Sequence, residues 1–190
     1  LNGQVNVGSK VAVIGAGGIG FDVAEFLVTG NYRDGNFQPL PEWMTEWGIG
    51  DPELFRGGLL ANGSSPKQAK RKVYLLQRKA QKMGKNLGKT TGWIHRTALK
   101  KRGVQMISGV TYHSICDHGI YISRDDEKET PELLEVDNVV LCAGQISNSD
   151  LYNDLKSSGF DCHLIGGAKH ADELDAKRAI DQGTRLALSI

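Results

Sequence analysis

The pattern of apolar positions changes character near the amino end of the chain. Residues 10–14 (KVAVI) form a continuous apolar run rich in β-branched side chains, which is typical of a buried strand. From residue 21 to residue 28 the apolar positions instead recur at helical spacing. Glycines fill the interval between the two patterns. The sequence therefore predicts a strand, a tight turn and a helix in succession.

Further apolar runs predict the rest of one sheet. A second strand is expected at 73–76 and a third at 104–107, with a helix over 93–101 between them that is followed by a capping Gly103. A last buried strand is expected at 139–142. Strands that alternate with helices favour a parallel sheet.

The spacing differs between the third strand and the last one. Short apolar runs at 110–115, 120–123 and 133–136 are separated by turn residues. This pattern predicts a meander of antiparallel strands. The expected fold class is therefore α/β, with a parallel sheet plus an antiparallel meander.

The end of the chain predicts one more strand and helix. After a break at 148–150, a strand is expected at 163–165, a turn at Gly166 and Gly167, and a helix over 173–188. A lone strand and helix cannot bury their apolar faces by themselves. Either this unit joins the first sheet, or its partner strands lie outside this sequence.

A stretch rich in Gly, Pro and Asn at about 30–66 separates the first helix from the second strand. We interpret it as an insertion with two short helical pieces at most. Trp43 and Trp47 are four residues apart and are expected to share a helix face. A small satellite core is favoured over a platform for stacking bases.

Composition narrows the class of protein. The chain has 190 residues, of which 39% are hydrophobic and 24% charged, as in globular proteins. It contains no apolar run of the roughly 18 residues that cross a bilayer and no secretory leader, so a cytoplasmic location is expected. Three distant cysteines exclude a disulfide framework and a CxxC metal site. The start at Leu1 suggests a piece of a longer polypeptide.

Positive charge is concentrated in one segment, although the formal net charge is only +1. Residues 67–102 contain 13 Lys and Arg and no Asp or Glu, whereas the rest of the chain holds all 22 acidic residues. This asymmetry favours a local anion-binding site over a generally basic surface. Composition alone leaves nucleic acid open as the anion.

Residues 15–20 read GAGGIG, which is the G-x-G-x-x-G pattern. Gly15 would make the turn, Gly17 would let the backbone approach a pyrophosphate, and Gly20 would let the helix pack close to the strand. The pattern follows a predicted strand and opens a predicted helix, the context that makes it credible. A Rossmann-like dinucleotide-binding domain is therefore expected, with candidate ligands Gly15, Ala16, Gly17, Gly18, Ile19 and Gly20.

The type of dinucleotide is indicated at the end of the second strand. An NAD site places Asp or Glu there, to accept a hydrogen bond from the ribose 2′-hydroxyl. Spacing alone points near Glu42, which lies in the insertion, whereas the strand itself leads to Arg78 and Lys79. Two cations at this position would attract a 2′-phosphate. The sequence therefore predicts that NADPH is bound in preference to NADH.

Other chemical patterns are not supported. Residues 84–90 (GKNLGKT) imitate a phosphate-binding P-loop, but Met83 stands where that motif needs its first glycine. No grouping of nucleophile, base and acid and no metal-ligand spacing is present, so no catalytic residue and no metal ligand is assigned.

Several segments together resemble the NADPH-dependent 2,4-dienoyl-CoA reductases of bacteria, which group with the old-yellow-enzyme-related flavin reductases. The similarity runs from residue 10 onward and is weakest in the insertion. The segments are GAGGIGFDVAEF (15–26), LQRK (76–79), LGKTTGWIHR (87–96), VDNVVLCAGQ (136–145), HLIGG (163–167) and ELDAKRAIDQGTRLAL (173–188).

The resemblance implies a division of the chain and its cofactors. Residues 8–145 would form the NADP-binding domain and 146–190 the C-terminal segment of an FAD-binding domain whose first half is absent. By the resemblance, Gly166 and Gly167 would lie near FAD. Gly144 and Gln145 follow the last predicted strand of the sheet, and ligands of open α/β sheets bind at the carboxyl ends of the strands, so these two residues are candidate contacts of the dinucleotide. FMN and an iron–sulfur cluster are implied only for the full-length protein.

The resemblance also implies a role for this chain: it would be the part of the protein at which electrons enter from NADPH. NADPH would deliver hydride to FAD, and the electrons would then reach an unsaturated fatty acyl-CoA, on which the isolated chain is expected to be inactive. The partners would be NADPH and the remainder of the same polypeptide, with neither nucleic acid nor membrane. A non-enzymatic redox-sensing module and an RNA-binding protein that uses the 67–102 segment remain as alternatives.

Overall fold

The computed structural model describes residues 4–29, 38–124, 130–171 and 176–190. The chain divides into two compact units, Leu1–Ala143 and Gly144–Ile190. In the described ranges the strands are β1 Lys10–Ile14, β2 Lys72–Gln77, β3 Gln105–Ser108, β4 Val110–Cys116, β5 Gly119–Arg124, β6 Glu132–Glu135 and β7 Asn138–Leu141. The helices are α1 Gly18–Thr29, α2 Leu40–Trp47, α3 Gly92–Lys101, α4 Asp150–Ser157, α5 Gly166–Lys169 and α6 Ala176–Ala187.

The first unit is built on a four-stranded sheet in the order β3-β2-β1-β7, in which every pairing is parallel. The strands β4, β5 and β6 form a separate antiparallel sheet in that order. Both predicted sheets are confirmed. Parallel strands all end at one edge, so the turn after β1 and the loop after β2 lie side by side.

Each face of the parallel sheet carries its own core. Val11 and Val13 of β1 face the helical side, where they pack with Phe21 of α1 and Leu99 of α3. Ala12 and Ile14 face the antiparallel sheet, where a second buried cluster includes Ile120. Because both faces are covered, β1 needs apolar side chains at successive positions, and this explains the continuous run in the sequence.

The insertion is attached to α3 by a buried ion pair. Glu46 of α2 pairs with Arg102 just after α3, and both side chains are less than a tenth exposed. Gln38 donates a further hydrogen bond to Glu46 (2.9 Å). Trp43 and Trp47 share a helix face as predicted, with ring centroids 6.3 Å apart, and the ammonium of Lys101 lies over the Trp47 ring. Within the described part of the insertion, residues 38–66, the other short helical piece is a 3₁₀ turn at Arg56–Gly58.

The last parallel strand differs from its prediction. It spans Asn138–Leu141 rather than 139–142, and it is half-buried rather than buried, with Leu141 71% exposed. The reason is its place at the edge of the sheet beyond β1, which its own apolar sequence does not reveal.

The second unit also corrects the sequence-based picture. The predicted strand at 163–165 is wrong, because those residues pair with no strand in the described part of the chain. Gly166 and Gly167 open the short helix α5 rather than a turn, and the predicted break at 148–150 leads into α4. The last helix is confirmed over α6, while 173–175 lie outside the described residues. None of the helices in the described ranges is long and apolar enough to span a membrane.

Candidate dinucleotide-binding site

The turn after β1 is fixed by Gly15. Its φ of +112° belongs to a region that favours glycine, and its amide donates to the carbonyl of Leu76 in β2 (2.9 Å). A Cβ added here would lie 2.5 Å from the carbonyl oxygen of Cys142, just after β7. The turn is therefore enclosed by both neighbouring strands, and no larger residue fits.

Gly20 sets the closeness of α1 to the sheet. Its Cβ would stand 1.8 Å from the Gly15 carbonyl oxygen, so the helix passes directly over the turn that precedes it. The residue is buried, as close packing between helix and strand requires.

Gly17 and Gly18 have the opposite environment. Both are exposed, and a Cβ added to either would meet no atom within 4 Å. Phe21 donates its amide to Gly17 (3.1 Å), so the amides of Gly18 and Ile19 precede the helical hydrogen bonds of α1. Free amides at a helix N-terminus favour anions. The space in front of them is open, which is the environment that the sequence predicts for the approach of a pyrophosphate.

The flanking members of the turn, Ala16 and Ile19, have side chains that do not close this opening. Ala16 is half-buried against the core on the helical side of the sheet, and Ile19 is 53% exposed.

The loop after β2 lies beside the turn because Ile14 and Leu76 are register partners. The side-chain amide of Gln77 donates to the carbonyls of Lys79 (2.7 Å) and Gln81 (3.0 Å) and so folds this loop. Arg78 and Lys79 are exposed, and neither forms an ion pair with a carboxylate of the described residues. Their charge is thus available to a ligand at this edge of the sheet.

Tyr112 of β4 is half-buried and packs against the second buried cluster. Burial raises the pKa of its phenol, and the positive charge of Arg78 partly opposes that rise. The local sequence does not indicate this electrostatic relationship, because it depends on how the antiparallel sheet packs on the parallel one.

Four further candidates lie in the second unit. Gly144 (φ +81°) and Gln145 are exposed, whereas Gly166 is buried and Gly167 half-buried. The amide of Gly166 donates to the side-chain oxygen of Gln182 in α6 (2.7 Å). The structure thus brings the glycine turn together with Arg78 and Lys79 in one unit, and it holds these four residues in the other.

Groups for redox or metal chemistry are few. Cys116, Cys142 and Cys162 are free thiols, and burial raises the pKa of Cys142, which keeps that thiol protonated at neutral pH. The part of the chain that the structure describes contains no cluster of three or more potential metal ligands.

Comparison with known proteins agrees with this geometry. The model of the pyridine nucleotide-disulphide oxidoreductase family matches residues 3–177. A metal reductase of Desulforamulus reducens is 26% identical over 168 residues, which cover 88% of this chain and 23% of that protein.

Solved structures show the same fold. A complex of 2-naphthoyl-CoA reductase with 2-naphthoyl-CoA matches with a TM-score of 0.66 and 20% identity over 99% of this chain and 22% of its own. Histamine dehydrogenase from Rhizobium sp. 4-9 matches with a TM-score of 0.60 and 18% identity over 95% of this chain and 23% of its own. The chain thus spans less than a quarter of each relative.

The matched family model covers nearly the whole chain, including the glycine turn at 15–20. This chain belongs to the pyridine nucleotide-disulphide oxidoreductase family.

Proposed function

We propose that this chain is the NADPH-binding portion of a larger flavin oxidoreductase, in which hydride passes from NADPH to FAD. The observation that carries the proposal is the open space at Gly17 and Gly18, in front of the first amides of α1 and beside two cations that form no ion pair with a carboxylate of the described residues. Together these features provide for a pyrophosphate and for a 2′-phosphate.

The residues of this chain bind and orient the nucleotide. The amides at the start of α1 hold the pyrophosphate, while Arg78 and Lys79 hold the 2′-phosphate at the end of β2. Gly15 lets the turn form and Gly20 lets α1 pack closely over it, so the two glycines position the amides for that contact. The nicotinamide supplies the hydride chemistry itself, so the chain needs no general acid or base.

The remainder of the same polypeptide is the proposed partner of the second unit. The second unit leaves apolar side chains exposed, both in its helices and in the segments that flank them, among them Ile146 (96%), Leu151 (71%), Phe160 (60%), Ile180 (66%) and Leu188 (83%). Exposed apolar side chains in such number indicate a surface that is covered in the complete protein. We assign this cover to an FAD-binding region, for which Gly166 and Gly167 are the candidate contacts of this chain, with Gly144 and Gln145 as candidate contacts of NADPH.

The proposed final acceptor is an unsaturated fatty acyl-CoA of the 2,4-dienoyl class. It rests on the sequence segments described above, and the match to a 2-naphthoyl-CoA reductase supports the fold alone at its 20% identity. FMN and an iron–sulfur cluster belong to the proposal only for the complete polypeptide, on which the acyl-CoA reaction depends.

The test uses the complete polypeptide that contains this chain. Anaerobic mixing with NADPH should bleach the flavin absorbance, and addition of a 2,4-dienoyl-CoA should restore it. A Gly17→Val variant with the same flavin content should bleach at least about a hundredfold more slowly at the same NADPH concentration. Flavin reduction that is equally fast in the variant would show that the glycine turn does not bind the reductant.

A further inference from the structure

A groove of about 660 Å³ lies at the amino edge of the parallel sheet, where its strands begin, opposite to the edge that carries the glycine turn. The dinucleotide site does not use this amino-edge groove. The groove lies where β1 and β2 begin and where α3 ends, with lining residues that include Lys10, Lys72 and Lys101. From Lys10 to Gly15 the strand rises about 16 Å, so the groove and the glycine turn are separate sites.

Seven lining residues of this groove are Lys or Arg, and none is acidic. Four carboxylates face three of the seven and offset four of the positive charges: Lys10 has Glu135 and Asp137, Lys67 has Glu42, and Arg102 has Glu46. The C-terminal ends of α1 and α3 offset about one further charge between them. About two positive charges therefore remain without a counterpart.

Arg71 is the fixed element of the groove. It is half-buried, and its guanidinium donates to the backbone carbonyls of Gly8 (3.1 Å) and Leu27 (3.2 Å). These acceptors are neutral, and no ion pair joins Arg71 to a carboxylate within the described ranges. A guanidinium has five N–H donors, so several remain for a ligand in a fixed orientation. Lys70 and Lys72 flank it in sequence, and neither has a carboxylate partner in the same ranges.

We propose that this groove binds a compact polyphosphate, meaning two or three linked phosphoryl groups. Phosphate is matched by the fork of Arg71 together with the point charges of Lys70 and Lys72. The volume exceeds that of a single phosphate. No aromatic residue lines the groove, and the rings nearest to its lysines, Tyr74 and Trp47, are covered by the ammonium groups of Lys72 and Lys101. Without a stacking surface, recognition is of the phosphates rather than of bases.

Because the groove lies about 16 Å from the glycine turn, the bound anion takes no direct part in hydride transfer. The proposal is independent of the proposed function, because its residues belong to the amino edge of the sheet and not to the turn or to Arg78 and Lys79.

Calorimetric titration of the complete chain with inorganic tripolyphosphate at low salt tests the proposal. Binding is expected to weaken about tenfold in a Lys70→Gln/Lys72→Gln variant and also in Arg71→Lys, which retains the charge but loses the fork. A Lys82→Gln/Lys85→Gln variant, which loses the same charge from the exposed loop after β2, should bind as the unmodified chain does. Thermal unfolding of each variant checks that the fold is retained.

The outcomes separate the alternatives. No binding to the unmodified chain, or equal losses in the groove and control variants, would overturn the proposal, as would full displacement of tripolyphosphate by NADPH at equal concentration. Tight binding of a short single-stranded RNA in the absence of tripolyphosphate binding would assign the groove to nucleic acid and would equally overturn it.

Discussion

The carbonyl oxygen of Gly15 occupies the place that a Cβ of Gly20 would need, at a distance of only 1.8 Å. The first and last glycines of the motif are therefore a matched pair: one forms the turn, and the other lets α1 cross over it. The middle glycines face open space instead, so the motif separates into a tightly packed part and an open part, to which we assign the proposed pyrophosphate contact.

Gly20→Ala should destabilise the first unit severely. The added methyl group meets backbone, which cannot move without shifting β1 or α1, so we expect a loss of more than about 3 kcal/mol in the free energy of unfolding. Urea denaturation monitored by circular dichroism measures it. Gly18→Ala, which adds the same methyl group in open space, is the control. Equal stability of the two variants would contradict the crossing geometry.

Gly17→Val should abolish dinucleotide binding and leave the fold intact. The side chain would enter the space that a pyrophosphate needs, yet it would meet no atom of the chain within 4 Å of its Cβ. Titration with NADPH and a thermal melt provide the two readouts. A variant that binds NADPH normally would show that the phosphate lies elsewhere.

The buried ion pair between Glu46 and Arg102 should contribute more to the free energy of unfolding than the exposed pair between Glu42 and Lys67 does. Glu46→Gln leaves Arg102 with a buried charge, which is expected to cost about 3–5 kcal/mol of unfolding free energy. Glu42→Gln removes the partner of Lys67, where both side chains are about half exposed, and should cost at most about 1 kcal/mol. Chemical denaturation of the two variants compares them directly, and similar losses would contradict the assignment.

Asp137 should make the start of β1 sensitive to acid. Its carboxylate accepts hydrogen bonds from the amide of Lys10 (2.8 Å) and the hydroxyl of Ser9 (3.1 Å), and the first of these is the main cause that lowers its pKa below the ordinary 3.8. Asp137 therefore contributes fully to the stability of the folded chain above the pKa that it has in the unfolded chain. This contribution is lost as the pH falls through the lower pKa of the folded state. Asp137→Asn should reduce stability at neutral pH and flatten its decline in acid. An unchanged pH profile of stability would refute the role.

Local patterns predicted those parts of the fold that depend on neighbouring residues. The turn at 15–20 and the strand before it follow from a short apolar run and from glycine spacing. By contrast, α4 was missed because DLYNDLKS presents only Leu151 and Leu155 as aliphatic residues among polar residues that are typical of turns. The prediction of a strand at 163–165 was wrong because an extended segment becomes a strand only when it pairs with a neighbouring strand.

The missed site features are those that distant segments bring together. The influence of the Arg78 charge on Tyr112 depends on the packing of two sheets, and the amino-edge groove joins Lys10 to the 67–102 segment. The sequence showed that this segment lacks acidic residues. It did not show that its cations divide between opposite edges of one sheet, because that division depends on the length and direction of β2.

The preference for NADPH over NADH is the central claim, and Arg78 and Lys79 are the residues that should carry it. Arg78→Ala should weaken NADPH binding more than Lys79→Ala does, because the guanidinium can fork onto a phosphate and lysine is a point charge. The double variant should lose about a hundredfold in NADPH affinity, less the effect of salt screening.

Calorimetric titration of the double variant with both cofactors is the most direct measurement. We predict that NADPH affinity falls toward that of NADH, while NADH affinity is nearly unchanged because NADH lacks the phosphate that the two cations contact. Equal losses for the two cofactors would mean that Arg78 and Lys79 support the fold or the pyrophosphate, and this would contradict the assignment of the site to NADPH.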